Sequence, residues 1–572
     1  MKIIFYDFEV FKHDWLVVFR DHGSLEYNII ENDREALLDF YNQNKNNIFC
    51  GFNCKHYDEH IFRAIMCNLN PHDVTKHIID NKKSGWQYKG MKRIPIVGID
   101  LKMDVQGNPA LSLKEAGANM GLSIHESDVP FDIQRKLTYE ELEDTKKYCK
   151  HDVDIVYELF QARFDEYVKP KLSVINAFNL DIKNISKTSA QLTAMILGAS
   201  PKRFYDELQY DLPSHISIKN RAILDLYNVP ELDYTKTYKT LIDGVEHTFA
   251  YGGIHGARQK YYAEGDLLSI DVTSYYPSMM IKYDFISRSL RDRSNYQKIY
   301  DKRVQLKKEG NPLHHPYKII IVATYGAMKN KYNKLYDPKQ VNQVCITGQL
   351  MLTDLMEKLT PYSTLIQSNT DGILVKVHSR EKVLEAVKEW EDRTKMKMEY
   401  EDVDRIWQKD VNNYVMVTKK GKVKVKGGWV RSYSADNPRM SFSSNQMSIV
   451  GIAIVNYLVY DKPIEDTIEE CDDPILFQLV AKKGSTFSHC EIKVKDKYKK
   501  INNVNRVFAA SIGGGQLFKI KNGSKHMIPN LPEKCFVFND HLDNFNRMFN
   551  IDRQWYINLA YERLKEFGVS NL

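Results

Sequence analysis

Apolar runs interrupted by single carboxylates punctuate this chain, and the period of each run assigns the element around it. Residues 268–278, LSIDVTSYYPS, read as a buried strand that delivers Asp271 and then breaks into a tight polar turn, with Pro277 opening a helix. Residues 365–377, LIQSNTDGILVKV, are two apolar runs flanking Ser368, Asn369, Thr370, Asp371 and Gly372; strand, polar turn, strand predicts a hairpin whose tip projects Asp371. Between them, residues 288–308 form a charged, helix-compatible run. The breaker Gly310, Asn311, Pro312 and a second helical run over 317–332 follow. Helical spacing puts Lys318 and Tyr325 on one face and makes Arg303 and Lys307 neighbours.

The amino-terminal third repeats the pattern. KIIFYDFEV, residues 2–10, reads as a strand whose period of two places Asp7 and Glu9 on one face, about 7 Å apart. In GFNCKHYDEHIF, residues 51–62, Asn53 and Asp58 enter a predicted helix, and in YCKHDVDIVYEL, residues 148–159, Tyr148 and Asp152 share a helix face. Asp144 and Asp154 fall in another register and read as solvated helix charges. Further on, residues 407–417 and 420–429 read as a strand pair with Lys422, Lys424 and Lys426 alternating onto one face. Residues from about 440 to 572 mix helical runs with basic strands.

These placements imply chemistry. A carboxylate at a buried strand end is costly unless it meets a metal or a partner. Two such carboxylates from distant sequence can share a pair of divalent ions, roughly 3.5–4 Å apart, that clamp both oxygens of an in-line phosphoryl transfer. Mg²⁺ suits the role because it takes oxygen ligands and keeps positions open for phosphates. A helical hairpin with cations on one face suits a triphosphate. Asp7, Glu9, Asp58 and Asp152 together would repel one another unless a cation lay among them.

Composition alters this picture little. The 572 residues allow three or four domains of ordinary size, and 81 Lys plus Arg against 74 Asp plus Glu leave a formal charge of only +7. Local basic surfaces can still bind phosphate backbones. The 35 tyrosines are a high count; tyrosines serve nucleic-acid sites by stacking and hydrogen bonding, but packing accounts for most of them. Eight cysteines without a CxxC pair read as reduced thiols, and neither a membrane span nor a signal peptide is evident. The expectation is a soluble, monomeric protein working in a cytoplasm and not in a membrane.

At this point the sequence resembles the family B DNA polymerases, most closely the small polymerases of bacteriophages. DVTSYYPS is similar to that family's first palm motif, KIIIVATYG to its fingers motif and SNTDG to its second palm motif. The amino-terminal acids resemble the three motifs of the DnaQ-like proofreading exonucleases. The resemblance implies an α/β multidomain protein, an RNase H-like (DnaQ-like) exonuclease domain joined to a right-hand polymerase. The implied division is exonuclease 1–175, connecting segment 176–245, first palm part 246–287, fingers 288–332, second palm part 333–430, and thumb with the carboxyl-terminal region 431–572. It implies primer-extending DNA synthesis from deoxynucleoside triphosphates with 3′–5′ proofreading, on primer–template and single-stranded DNA. The setting would be phage genome replication in a host cytoplasm, with accessory replication proteins as further partners.

By the same resemblance Asp271 and Asp371 hold two Mg²⁺ or Mn²⁺ ions, with the Val272 carbonyl as a further ligand. Tyr276 lies under the incoming sugar and excludes a 2′-hydroxyl, Lys318 meets the triphosphate, and Tyr325 packs at the nascent base pair; Arg303, Lys307 and His314 are further phosphate contacts. Asp7, Glu9, Asp58 and Asp152 hold the two ions of the exonuclease, Tyr148 orients its water, and Asn53 contacts the frayed strand. Tyr251 and Gly253 belong to the linker motif on DNA, and Tyr414, Lys424 and Lys426 to the primer-binding strands.

Four positions and one motif depart from the family pattern: Asn369 for an acid, Val322 for an Asn, Val10 for a hydroxyl, Asn412 for a Lys, and a Tyr251–Gly252–Gly253 motif one residue short. The intervals between Asp271, Lys318, Tyr325 and Asp371 lack room for the two insertions of protein-primed relatives, so a nucleic-acid primer is expected. A protein-primed replicase, a nuclease or DNA-binding protein that has lost synthesis, and an RNA-templated or RNA-making polymerase are the alternatives.

Overall fold

The computed structural model describes residues 1–105, 110–430, 442–443 and 446–569; the boundary placed at 431 falls outside the described residues. The chain is a mixed α/β protein with several sheets, and it forms two compact units. The first comprises Met1–Thr188, Ala435–Ser448 and Cys471–Trp555; the second comprises Ser189–Ser434, Ile449–Glu470 and Tyr556–Leu572. Among the described residues no helix is long and apolar enough to cross a membrane. All eight cysteines are free thiols.

The first unit is built on a five-stranded sheet in the order Tyr27–Glu31, Trp15–Asp21, Ile3–Val10, Ile48–Gly51, Gly98–Asp100. The first two pairings are antiparallel and the last two parallel. Alternation along Ile3–Val10 separates two cores. Ile4, Tyr6, Phe8 and Val10 pack with Ile61, Phe62 and Ile65 of helix Asp58–Met66, whereas Phe5 packs with Val153, Val156 and Phe160 of the long helix Tyr139–Arg163. Asp7 and Glu9 share the side of Phe5 and therefore look toward the long helix. That helix starts at a capping box in which Thr138 accepts from the Glu141 N–H and the Glu141 side chain answers the Thr138 N–H. Two smaller antiparallel sheets from residues 479–537 complete the unit.

The second unit carries a seven-stranded antiparallel sheet, in the order Val423–Lys426, Asn413–Thr418, Met398–Asp410, Tyr261–Val272, Gly372–Val377, Ser363–Ser368, Gly256–Ala257. Helix Pro338–Leu359 is buried over most of its length, including the polar Asn342, Gln343, Gln349 and Asp354, and helices Ser294–Lys308 and His314–Lys329 form a hairpin.

Three local expectations change. Residues 407–417 are not one strand: the Asp410 carboxylate accepts from the Asn412 N–H (2.8 Å) and the Asn413 amide (3.2 Å), and the chain reverses there. Lys422 precedes the last strand and closes a turn onto the Thr418 hydroxyl, so only Lys424 and Lys426 alternate within it. Asp154 is not a free solvated charge, because the long helix brings it to Arg20 Nη1 and the Tyr27 hydroxyl, both at 2.7 Å.

Candidate functional site

In the second unit, the strand Tyr261–Val272 ends with Asp271 directly opposite Gly372 on one neighbour and Glu399 on the other. Asp371 occupies the hairpin tip between Ser363–Ser368 and Gly372–Val377, and its carbonyl accepts from the Val272 N–H at 2.8 Å. The two candidate carboxylates thus stand side by side at one sheet end. Desolvation raises the Asp271 carboxyl; the Ser269 hydroxyl at 2.9 Å lowers it, Asp371 raises it, and Lys424 and Glu401 oppose each other. Gly372 supplies the space. A Cβ there would lie 1.9 Å from Asp271 Oδ1, so a residue read as a turn former is required for close approach.

Beyond Asp271 the chain enters helix Tyr275–Lys282, with Pro277 in its first turn. The Tyr276 ring lies 4.8 Å from that of Tyr325, centroid to centroid, on helix His314–Lys329. Cys345 is near both hydroxyls, and its thiol donates to the Gly252 carbonyl at 2.9 Å. A Cβ at Gly348 would touch the Tyr276 ring edge at 3.4 Å, so the buried helix and the two tyrosines fit together through small residues.

The cations collect as helical spacing requires. Arg303 Nη1 donates to the Ser274 hydroxyl at 3.2 Å, tying the helical hairpin to the turn after Asp271. Desolvation and the surrounding His315, Arg303, Lys307 and Lys318 hold the His314 imidazole below its ordinary value. Arg303 Nε and His314 Nδ1 are buried without a hydrogen-bond partner. A cluster of Arg303, Lys307 and Lys318 with an orphaned guanidinium donor has the charge and hydrogen-bonding capacity to meet a polyanion.

Tyr414 pairs with Lys426 across the neighbouring strands, and both Asp271 and Asp371 help to raise its hydroxyl after burial. Lys426 Nζ donates to Asn369 Oδ1 at 3.1 Å, so the amide at this departure from the family pattern meets a cation. Lys424 is ion-paired with Glu401. Gly253 runs beside Thr370, where a Cβ would come within 3.2 Å of its hydroxyl, while Tyr251 sits edge-on to Tyr234 with centroids 4.6 Å apart. Val322 is 60 % exposed, Val10 is buried and Asn412 forms the turn already described.

In the first unit the structure gathers the four acids. Oxygens of Asp7 and Glu9 lie within 4.8 Å of one another and of Cys149 Sγ. Burial, then the neighbouring carboxylates, drives both carboxyls well up, with Lys114 pulling them down. Asp58 caps the sheet end by accepting from the Phe8 N–H at 3.3 Å; burial pushes its carboxyl up to about 7. Asp152 is buried on the long helix and bonded to Lys114 Nζ. Tyr148 lies one turn away, its ring 4.1 Å from Lys114 Nζ and its hydroxyl raised by burial and by Asp152, Glu9 and Asp7. Asn53 precedes helix Asp58–Met66 rather than entering it; at φ +60° it adopts the left-handed conformation Asn tolerates, and its N–H donates to Asp100 Oδ1 at 2.8 Å.

Lys114 was invisible in the sequence. Its short helix Leu113–Asn119 packs on the long helix and lays the ammonium among the acids. Crowded hard oxygen donors whose carboxyls are forced upward by burial and then by one another fit a divalent cation, as does the Asp271–Asp371 pair.

No family model matches the sequence, and no curated protein matches it. Among solved structures the chain is similar to the family B DNA polymerase of the hyperthermophilic archaeon Pyrobaculum calidifontis, with 12% identity and a TM-score of 0.42 over 100% of this chain and 78% of that one.

Proposed function

We propose that the chain is a DNA-templated DNA polymerase of family B, of the small bacteriophage type, with a 3′–5′ proofreading exonuclease in its first unit. The observation that carries this reading is the union at one sheet end of Asp271, Asp371, the Tyr276–Tyr325 pair and the Arg303, Lys307 and Lys318 cations with His314 among them. Asp271, Asp371 and the Val272 carbonyl would hold two Mg²⁺ or Mn²⁺ ions, which supply charge stabilisation to the attacking and leaving oxygens when bound. Arg303, Lys307 and Lys318 orient the triphosphate by charge, and the His314 ring adds a hydrogen-bonding contact. Tyr276, fixed between Tyr325 and Gly348, fills the space a 2′-hydroxyl would need, and Tyr414 with Lys426 steadies the primer end.

In the first unit Asp7, Glu9, Asp58 and Asp152 would hold the hydrolytic ions, Tyr148 orients the water, and Asn53 meets the single strand. A nucleic-acid primer is favoured because the chain between Tyr276 and Asp371 is used up by the helical hairpin and the buried helix. The domain boundaries given by the resemblance and a role in phage replication belong to the same proposal.

Its test is one primed DNA template with Mg²⁺ and deoxynucleoside triphosphates, comparing wild type, Asp371→Ala and Asp7→Ala. Synthesis is expected to vanish only in the first variant and proofreading only in the second. Extension by Asp371→Ala would refute the palm assignment; activity only on a terminal protein would replace primer extension by protein priming.

A further inference from the structure

Behind Tyr325 the second unit has a half-open cavity of about 260 Å³ walled by Tyr234, Tyr251, Tyr325 and Tyr336, with Cys345, Asn342 and Lys329 in its lining. We propose that this cavity receives one unpaired nucleobase of the template strand, the base immediately beyond the one being copied. The inference rests on the polymerase reading above and adds a binding site to it.

Size is the first argument. The cavity is smaller than the roughly 300–1,000 Å³ of sites that enclose drug-sized ligands, and a single flat heterocycle suits it. Its walls are the second. Four phenol rings offer π-faces and edges, and base–aromatic stacking does not depend on which base is present.

The hydrogen-bonding groups make the third argument. Asn342 Oδ1 accepts from the Tyr234 hydroxyl (3.1 Å), its amide donates to the Glu207 carbonyl (2.8 Å), and the Cys345 thiol donates to the Gly252 carbonyl (2.9 Å). Apart from the Tyr251 hydroxyl, which is buried without a hydrogen-bond partner, these polar groups are engaged within the protein and leave little with which to distinguish bases. A site that stacks without reading suits a template strand of any sequence better than a dedicated small molecule.

Position is the fourth. Tyr325 belongs both to the cavity wall and, through its 4.8 Å contact with Tyr276, to the candidate active site, so a base stored there is one step from the copying position. Lys329 follows Tyr325 by one helical turn and is exposed, which places a cation where the phosphate of that nucleotide would pass.

The experiment uses the full chain in chelator, with a primer–template whose template extends two nucleotides past the primer. The second of these carries either adenine or an abasic sugar. Wild type is expected to bind the adenine form about fivefold or more tightly, the lower end of one stacking interaction. Tyr234→Leu and Tyr336→Leu should erase that difference and leave affinity for the abasic form unchanged. Equal binding of both forms by wild type, or an undiminished difference in both variants, overturns the proposal.

Wild type alone gives a second reading. On a template extended by five nucleotides, 2-aminopurine at the second overhang position should change its emission on binding while the same probe at the fourth position does not; identical responses count against the cavity. Lys329→Ala, a surface change, should lower the salt dependence of overhang binding by about 0.7 in log–log slope, and an unchanged slope counts against the phosphate path. One-nucleotide extension of the abasic template with Mg²⁺ separates the two levels. Extension without base discrimination sinks the cavity alone, and neither binding nor extension sinks the polymerase reading with it.

Discussion

Asp58→Asn tests the idea that the first unit carries the cost of burying its acids. Asp58 is 5% exposed, and burial moves its carboxyl from 3.8 to about 7. Between these values the folded protein keeps a proton that the unfolded chain has released. Stability therefore falls as pH rises through the window, and above pH 7 the loss is complete at about 4 kcal/mol. An Asn has the same shape, can still accept from the Phe8 N–H and carries no charge. In chelator at pH 8 the variant should hold its strand Ile3–Val10 more stably than wild type by several kcal/mol, and at pH 4 the two should agree. Hydrogen exchange of peptides covering that strand reads the opening free energy of this unit without requiring the whole chain to unfold in one step. Mn²⁺ should close the gap at pH 8 by protecting wild type more than the variant. Equal or faster exchange in the variant at pH 8, without metal, would refute the reasoning.

Gly372→Ala should abolish primer extension and spare the nuclease, because its Cβ would stand 1.9 Å from Asp271 Oδ1; parallel extension and single-strand degradation assays check this. Tyr276→Ala should raise ribonucleotide incorporation relative to deoxynucleotide at least about tenfold in kcat/KM, the scale of removing one steric exclusion from a fitted pocket. Lys114→Met removes the cation that lowers the Asp7 and Glu9 carboxyls, so the acid limb of the nuclease pH profile should move to higher pH, with synthesis unaffected.

The parts legible in the sequence are those in which one local period fixes both element and side-chain direction. Asp7 and Glu9 follow from the alternation of a single strand. Asp371 follows from a hairpin tip, and Lys318 with Tyr325 from two turns of one helix. The signals fail where position is decided by pairing between distant segments. Residues 471–555 gather with the amino-terminal sheet through contacts such as the Ile124 N–H on the Asn539 carbonyl (2.7 Å) and Arg506 Nη2 on the carbonyls of Ala118 (3.0 Å) and Leu122 (2.7 Å). Nothing within the run 502–509 announces a buried arginine that ties segments almost 400 positions apart.

Lys114 and Gly372 show why a carboxylate is easier to find than what accommodates it. An acid inside an apolar run is conspicuous because burying it is unfavourable; a lysine on a short helix or a glycine after a turn is ordinary. Yet the acids could not be packed this way without them. Lys114 offsets charge at Asp152, where four carboxyls meet, and the missing side chain of Gly372 lets the Asp271 oxygen lie against the neighbouring strand. Charge can be relieved by a side chain from elsewhere in the fold, and crowding by the absence of one. Neither leaves a local pattern, so a sequence names the acids of such a cluster and leaves to the structure the groups that make their approach tolerable.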